Sequence, residues 1–306
     1  MLPSLHSRSC GKYYITRQDG NMINPYFIDE PACIALSGGR TSAYMLVKIL
    51  DAHNGILPDY VQVLFANTGK EMPETLAFVN DCGKELGVKI TWLELAKMTD
   101  VSSEGERTKF KREFKVVDFE SASRNGEPFE ILINAMGMIP NAVMRSCTGN
   151  LKIRVMVTYL KSIGYESPWM QYVGIRGDEQ RRAKKIHRRT EEGHETFCPL
   201  WVDRVTAKDV GDFWSSMPWD LNLPNNNGVT DWGNCDLCFL KGKTKRASII
   251  RERPDLADWW IKIETNQGMK FRPDEPSYKQ MRDYALAQDD MFAGIYDDSI
   301  PCFSGD

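Results

Sequence analysis

The sequence predicts an α/β chain built on a doubly wound parallel sheet, with a small C-terminal subdomain that carries cysteines. Three observations predict it. Short apolar runs alternate with helix-period segments over residues 32–95 in the order β-α-β-α-β, which buries a parallel sheet between right-handed crossovers. The first two runs end in small-residue turns, Ser37-Gly38-Gly39 and Asn67-Thr68-Gly69, where such sheets receive ligands beyond the carboxyl ends of their strands. The composition then changes after residue 221: Asn225-Asn226-Asn227-Gly228 reads as loop and is followed by Cys235 and Cys238.

Residues 1–30 read as an N-terminal arm or hairpin, with extended pieces from Tyr13 to Phe27 around the Asp19-Gly20 turn. The α/β domain spans 31–221. Ala32 to Leu36 is its first strand, and Thr41 to Ala52 follows with helical spacing of Tyr44, Met45, Val47, Lys48 and Leu50. Tyr60 to Ala66 is the second strand. Pro73 suits a first helical position and Gly87 a stop, so a helix is expected from Pro73 to Leu86, and Val88 to Leu95 is the third strand. The charged stretch Ala96 to Glu130 reads as an inserted or mobile segment. Leu151 to Ile163 is expected as a helix and Met170 to Ile175 as a further strand. Residues 222–306 form the subdomain and tail, with short helices around Trp259-Trp260 and from Tyr278 to Leu286.

Composition excludes several classes. The 306 residues are enough to bury about three quarters of the extended-chain surface. Thirty-nine basic residues against forty-two acidic ones leave a net charge of -3, so no global field draws the chain to nucleic acid or an anionic membrane. The uncharged run Ile131 to Met144 is fourteen residues with a proline inside, too short to span a bilayer. The first residues lack an apolar secretion segment, so a cytoplasmic setting is expected. Eight cysteines are too sparse for a disulfide scaffold, and paired ones in a reducing compartment point to metal or redox chemistry. Cys33 and Cys82 fall in a strand and a helix and read as small core hydrophobes.

The turn Ser37-Gly38-Gly39-Arg40-Thr41-Ser42 sits where a strand feeds a helix. Amides at such a helix start hold anions, and the glycines let the backbone approach phosphate oxygens. No Gly-Lys-Ser/Thr follows at P-loop spacing, so a pyrophosphate-holding variant fits better than a P-loop, with an ordinary tight turn as the alternative. Lys152, Arg154, Arg176 and Arg182 add cations able to grip phosphate or sulfate. The basic run Arg176 to Arg189 suits a phosphate rim, a nucleic-acid contact or a solvated face.

These blocks resemble the phosphoadenylyl-sulfate (PAPS) reductase family of the adenine nucleotide alpha-hydrolase-like, or PP-loop, superfamily. Ser37 to Ser42 is similar to its SGGxxS loop, and Asn67 to Thr75 to its second-strand signature. Cys147-Thr148-Gly149-Asn150-Leu151-Lys152 resembles its Cys-Thr-x-x-Leu-Lys block, and Gly174-Ile175-Arg176 with Glu179 and Arg182 its Gly-Ile-Arg-x-x-Glu-x-x-Arg block. Pro199-Leu200 and Lys208-Asp209-Val210 complete a resemblance that runs from about residue 32 to 242. It implies a Rossmann-like fold and an adenine nucleotide (PAPS, APS or ATP, with Mg²⁺ for ATP). That nucleotide would be held by Ser37, Gly38, Gly39, Arg40, Thr41, Ser42, Thr68, Gly69, Glu71, Arg154, Glu179 and Arg182. Lys152 and Arg176 take catalytic positions. Family reductases carry their nucleophile on a C-terminal tail, which implies Cys302, although the family's Glu-Cys-Gly-x-His setting is missing here.

The spacing Cys235-Asp-Leu-Cys238 directs two sulfurs to one metal or cluster. In the cluster-containing branch of the family a cysteine pair stands at the position of Ser146-Cys147. The resemblance thus implies a [4Fe-4S] cluster on Cys147, Cys235 and Cys238, with one open iron or a fourth thiolate from Cys198 or Cys302. Zinc on His194, Cys198, Cys235 and Cys238 is the alternative.

Two reactions follow. In the first, a thiolate reduces an adenylyl sulfate to sulfite, with a thioredoxin-like reductant. In the second, ATP adenylates an acceptor such as a nucleic-acid base, pyrophosphate leaves, and a sulfur donor supplies the cluster. The first stands narrowly ahead, and a non-catalytic nucleotide- or nucleic-acid-binding module is the third reading. A homo-oligomer with no membrane association is expected.

Overall fold

The computed structural model describes residues 24–103, 108–186, 193–226 and 228–287. The expected hairpin around Asp19-Gly20, the end of the basic run at Arg188 and Arg189, and Cys302 lie outside the described residues. In chain order the elements open with β1 (Ala32–Leu36), α1 (Arg40–Ala52), β2 (Val61–Ala66), α2 (Pro73–Glu85), β3 (Ile90–Asp100), β4 (Phe110–Val117) and α3 (Glu127–Met136). A π-helical stretch, Thr148–Ile153, then runs into α4 (Arg154–Ser162). Next come β5 (Trp169–Val173), α5 (Gln180–Ile186), β6 (His194–Phe197), α6 (Pro199–Val202) and α7 (Ala207–Ser216). The segment beyond 221 contributes α8 (Lys243–Glu252), α9 (Ala257–Gln267) and α10 (Tyr278–Ala287).

The six strands form one sheet in the order β4-β3-β2-β1-β5-β6. Every neighbouring pair is parallel except β3 and β4. The chain therefore winds outward from β1 to β4 and returns to the other side of β1 as β5. That reversal opens a crevice above the carboxyl ends of β1 and β5.

Both faces of the central strands are apolar, which is why they read as unbroken hydrophobic runs. Along β1, Ile34 and Leu36 join one core while Cys33 joins the other; along β2, Val63 and Phe65 alternate with Leu64 and Ala66 in the same way. The first core fills the space under α1, α2 and α7 with Leu46, Val79 and Trp214. The second packs the sheet against α3, α4 and the last three helices, through Phe129, Leu160, Ile250 and Trp260.

One expectation is corrected. Ala96 to Glu130 is not a loose insertion: β3 continues to Asp100, and the chain reverses into β4, pairing from Trp92↔Val117 to Asp100↔Phe110 with an irregularity between Leu95 and Lys97. The charges that suggested mobility belong to an edge strand. Phe110, Arg112 and Phe114 turn toward the protein while Lys111 and Glu113 face water and the half-exposed Lys115 reaches back to the buried Glu94. Such lysines keep an exposed edge from pairing with other chains. The expected helix Leu151 to Ile163 likewise begins as π-helix, with regular α-helix only from Arg154.

Among the described residues no helix is long and apolar enough to cross a membrane. Trp214 ties the first core to the crevice, because its ring is buried against Phe78 and Trp219 while its Nε1 donates to the Arg40 carbonyl at 2.9 Å. Trp214→Ala is expected to cost about 3–5 kcal/mol, the usual range for an aromatic truncated in a core. Urea unfolding of the two proteins measures it.

Candidate active site

The turn after β1 is shaped by its own side chains. Ser42 Oγ donates to the Gly39 carbonyl at 3.0 Å and accepts from the Ser37 amide at 3.1 Å. Its one hydrogen is thereby used, so Ser37 Oγ donates across the 2.8 Å contact between the two hydroxyls. The backbone at Gly38 takes φ +87°, and a Cβ there would lie 2.5 Å from Thr75 Cγ2, so neither the conformation nor the space admits a side chain. Helix α1 starts at Arg40 with no side-chain cap. Its first-turn amides have no intrahelical partner and point into the crevice with the positive end of the dipole, an arrangement that favours an anion.

Across the crevice, the segment leaving β5 brings the second set of groups. Gly174 abuts α1 so closely that a Cβ would stand 2.8 Å from Ser42 Cα. Two residues on, Arg176 Nη1 donates to Thr41 Oγ1 at 3.0 Å, its Nε to Asp178 at 3.0 Å, and its amide to Glu179 Oε2 at 3.0 Å. Glu179 also pairs with Arg182. These groups, with Gly39 and Thr41, line a cleft of about 570 Å³ whose far wall includes Cys238, Lys241 and Lys245. A smaller cavity of about 40 Å³ adjoins the turn between Ser37, Gln171, Thr148 and Lys152.

The turn after β2 is set from below. Asn67 Nδ2 donates to the buried Glu94 carboxylate at 2.6 Å, and its Oδ1 accepts from the Gly69 amide at 3.0 Å. Glu94 also accepts from the Ser123 amide at 2.7 Å and pairs with Lys115 at 2.9 Å. Thr68 Oγ1 then donates to Glu71 Oε1 at 3.1 Å, and Lys152 Nζ approaches the same oxygen at 3.3 Å. Glu71 Oε2 is buried with no hydrogen-bond partner among the described residues.

The structure thus brings Gly39, Thr41, Arg176, Glu179 and Arg182 to the lining of one cleft; Ser37, Gly38 and Ser42 build the turn behind it, with Thr68, Glu71 and Lys152 alongside. Two predicted residues take other positions. Arg40 lines the cleft but its guanidinium is spent as a clasp, donating to both oxygens of Asp220 at 2.7 and 2.5 Å, to Thr230 at 2.6 Å and to the Leu223 carbonyl at 3.0 Å. Arg154 stands where the π-helical stretch gives way to α4, and it and Arg112 both donate to Asn150 Oδ1, at 3.2 and 2.7 Å. Sequence reasoning missed Glu94, Asp220, Asp236 and Lys241. Only Glu94 left a signal, as an acid inside the apolar strand Ile90 to Leu95.

The candidate ligand cysteines divide between two places. Cys235 and Cys238 are buried in the core that Cys147 flanks, whereas Cys198 packs with Val173, Ile175 and Ala183, and His194 stacks on Trp169 at 6.0 Å. Among the described residues no three His, Cys, Asp or Glu side chains are placed to share a metal ion. Among the described residues, Cys198 and His194 thus stand apart from the Cys235–Cys238 turn that the zinc alternative would join them to. Burial, reinforced by the Glu71 carboxylate, pushes the Cys235 thiol well up. Burial alone pushes Cys33 up to about 12.

Residues 31–213 match the phosphoadenosine phosphosulfate reductase domain, from before the Ser37 turn to past Arg182. The chain belongs to that family. It is also similar to the uncharacterized nin region protein ORF290 of Escherichia phage lambda, at 26% identity over 250 residues that cover 80% of each chain. A shorter likeness, 29% over 166 residues, joins 53% of this chain to 27% of the uncharacterized protein MJ0066 of Methanocaldococcus jannaschii. The family match stops short of the Cys235-Cys238 turn.

Gly38→Ala is expected to lose about 1–3 kcal/mol of stability from backbone strain, read by denaturation, and, if the turn holds a nucleotide's phosphates, to abolish binding of AMP, read by calorimetry. Arg176→Ala should leave the fold standing and weaken the same binding by about tenfold or more, the loss of one charge-assisted hydrogen-bond set.

Proposed function

We propose that the protein binds an adenine nucleotide in the 570 Å³ cleft and acts on the anhydride at its α-phosphate. The observation that carries this reading is the 3.0 Å hydrogen bond from Arg176 to Thr41, which aims a guanidinium and the amides of the α1 start at one position. A phosphate or sulfate there meets backbone donors, a helix dipole and a guanidinium together. Mechanistically, the turn would hold the anionic chain, Arg176 and Arg182 would neutralise charge that grows on the leaving oxygen, and Lys152 beside Glu71 would hold the neighbouring oxygen.

Family membership favours adenylyl sulfate as substrate. A thiolate attacks its sulfur, the bond from sulfur to the bridging oxygen breaks, and an adenosine phosphate leaves. A second thiol then expels sulfite and is oxidised to a disulfide. A thioredoxin-like dithiol would restore the protein. One observation favours a second reading: Asp178, Glu179 and Asp231 line the cleft among its cations, as suits Mg²⁺ with ATP. There an acceptor oxygen attacks the α-phosphorus and pyrophosphate leaves.

Anaerobic protein given adenylyl sulfate, with and without a 3′-phosphate, plus a dithiol is expected to release sulfite and adenosine phosphate without pyrophosphate. Pyrophosphate from Mg²⁺-ATP in the absence of sulfite would transfer the assignment to the second reading. Neither product from any adenine nucleotide would return the chain to a binding module.

A further inference from the structure

We propose that Asp178 is a positioning residue of the anion site: its carboxylate aims the Arg176 guanidinium, so that removing a negative charge from the cleft weakens the binding of an anion there. The inference rests on the nucleotide reading of the cleft and concerns binding alone, whichever reaction follows.

A guanidinium is planar, and holding two of its nitrogens at separate acceptors fixes both its plane and its rotation within that plane. Arg176 is held in this way. Its Nε donates to Asp178 Oδ1 and its Nη1 to Thr41 Oγ1, each at 3.0 Å. Glu179 Oε2 stands 3.6 Å from Nη1, too far for a hydrogen bond, and takes the Arg176 amide instead. Among the described residues nothing accepts from Nη2, whose two hydrogens are left to the cleft that Arg176 lines. The direction of that nitrogen is set by Thr41 on one side and by Asp178 on the other. Of the two holds, the one to the carboxylate is charge-assisted and the stronger.

Asp178 is itself fixed. Its other oxygen, Oδ2, accepts from the amide of Ala207 at 2.8 Å, the first residue of α7. First-turn amides have no partner inside their helix and favour a negative charge. Helix α7 does not need Asp178 to start, because Thr206 and Asp209 already form a capping box at its end. The backbone between the two residues is held as firmly. The Gly177 amide donates to the Val205 carbonyl at 2.7 Å, and a Cβ on Gly177 would stand 2.7 Å from Arg204 Cα.

The far wall of the cleft meets the same point. Gly228 packs on Ala207 so tightly that a Cβ would overlap the Ala207 carbonyl oxygen. Two residues on, Thr230 Oγ1 accepts from Arg40 Nη1 at 2.6 Å. Contacts therefore run in a closed circuit from Thr41 through Arg176, Asp178, Ala207 and Gly228 to Thr230, and back through Arg40 to the start of α1. Asp178 is the junction where this circuit grips the guanidinium that faces the ligand.

Coulomb's law alone predicts the opposite sign. Asp178 lines the cleft, and a carboxylate near a bound phosphate repels it, so its loss would tighten the binding of an anion. Acting through Arg176, its loss instead frees Nε and lets the guanidinium turn toward Glu179, from which an incoming phosphate must recover it. The side chain of Asp178 is 39% exposed, so truncation opens no cavity in the core. The sign of the change therefore separates aim from charge.

The test is calorimetry of AMP with the full chain in EDTA and about 0.15 M salt, which screens distant repulsion and removes any cation bridging carboxylate to phosphate. Asp178→Ala is expected to weaken AMP binding by about three- to tenfold, the scale of coupling within one hydrogen-bond network. In an Arg176→Ala background, which lacks the group that Asp178 aims, the same substitution should weaken it by less than about twofold or tighten it. Asp178→Asn keeps the shape but turns an amide NH₂ on one of its two donors, and it should weaken AMP as the alanine does. It carries the test where Asp178→Ala fails to fold, which urea unfolding of each variant reports. AMP bound by these variants as tightly as by the unmutated chain, or more tightly, overturns the positioning role and spares the nucleotide reading. An equal loss with and without Arg176 also overturns it, because Asp178 would then support the cleft as a whole. So does a loss seen in Mg²⁺ and absent in EDTA, which assigns the carboxylate to a metal. No heat from AMP or ATP with the unmutated chain overturns the nucleotide reading and the inference together.

Discussion

The site depends on one close approach. Where β5 ends, Gly174 presents a backbone without a side chain to the first turn of α1, and even a methyl group would stand 2.8 Å from Ser42 Cα. That contact exists because β5 returns to the far side of β1, which brings the β5 turn and the β1 turn side by side at the strand-order reversal. It also decides where Arg176 falls. Two residues beyond Gly174, its guanidinium reaches Thr41 and not open water, so a helix N-terminus and a side-chain cation address the same point. Widening this approach by a single Cβ would separate the two halves of the anion site before touching any charged group.

The segment beyond residue 221 closes the cleft because it is fastened to both turns. Arg40, from the turn after β1, reaches Asp220 and Thr230; Lys70, from the turn after β2, reaches Asp236. Both cations are nearly buried, and a buried charge without a partner costs several kcal/mol. Each fastening is therefore strongly coupled, since removal of one partner strands the other. Behind them, Trp260 stacks on Tyr278 while its Nε1 holds Asp236, so the C-terminal helices support the cysteine turn through the same residue that ties it to the sheet. The shared core that includes Leu64, Phe129, Phe239 and Trp260 makes this segment a wall of the α/β unit.

What the sequence made legible follows from which signals are local. The strands β1 and β2 and the helices α1 and α2 announce themselves through apolar runs, a glycine turn and a proline at a helix start, all short-range effects. The turn after β1 was legible for the same reason, because Gly38 is needed where it stands. β4 was hidden by its charges: an edge strand with one wet face alternates weakly, and Lys111, Glu113 and Lys115 outweigh Phe110 and Phe114 in its composition. The role of Arg40 was hidden differently. Nothing near it in sequence says that Asp220, 180 residues away, will take its guanidinium. The grouping of cysteines was equally illegible, since Cys198 shares residue type with Cys235 but ends in another cluster.

The cations of the cleft are not bare, and this shapes what can bind. Arg176 is shared between Thr41, Asp178 and Glu179; Arg182 pairs with Glu179; Lys152 sits beside Glu71. These carboxylates orient the cations before a ligand arrives and offset the repulsion of like charges held together. They also compete with an incoming anion, so a small ion gains little by entering. A nucleotide, as proposed above, would gain more, because its base and ribose can add contacts that the carboxylates do not contest. On the proposed reading, selectivity for a nucleotide over free sulfate or phosphate would arise because the charges are already paired within the protein: the turn would supply position, and the rest of the ligand the free energy that displaces the carboxylates.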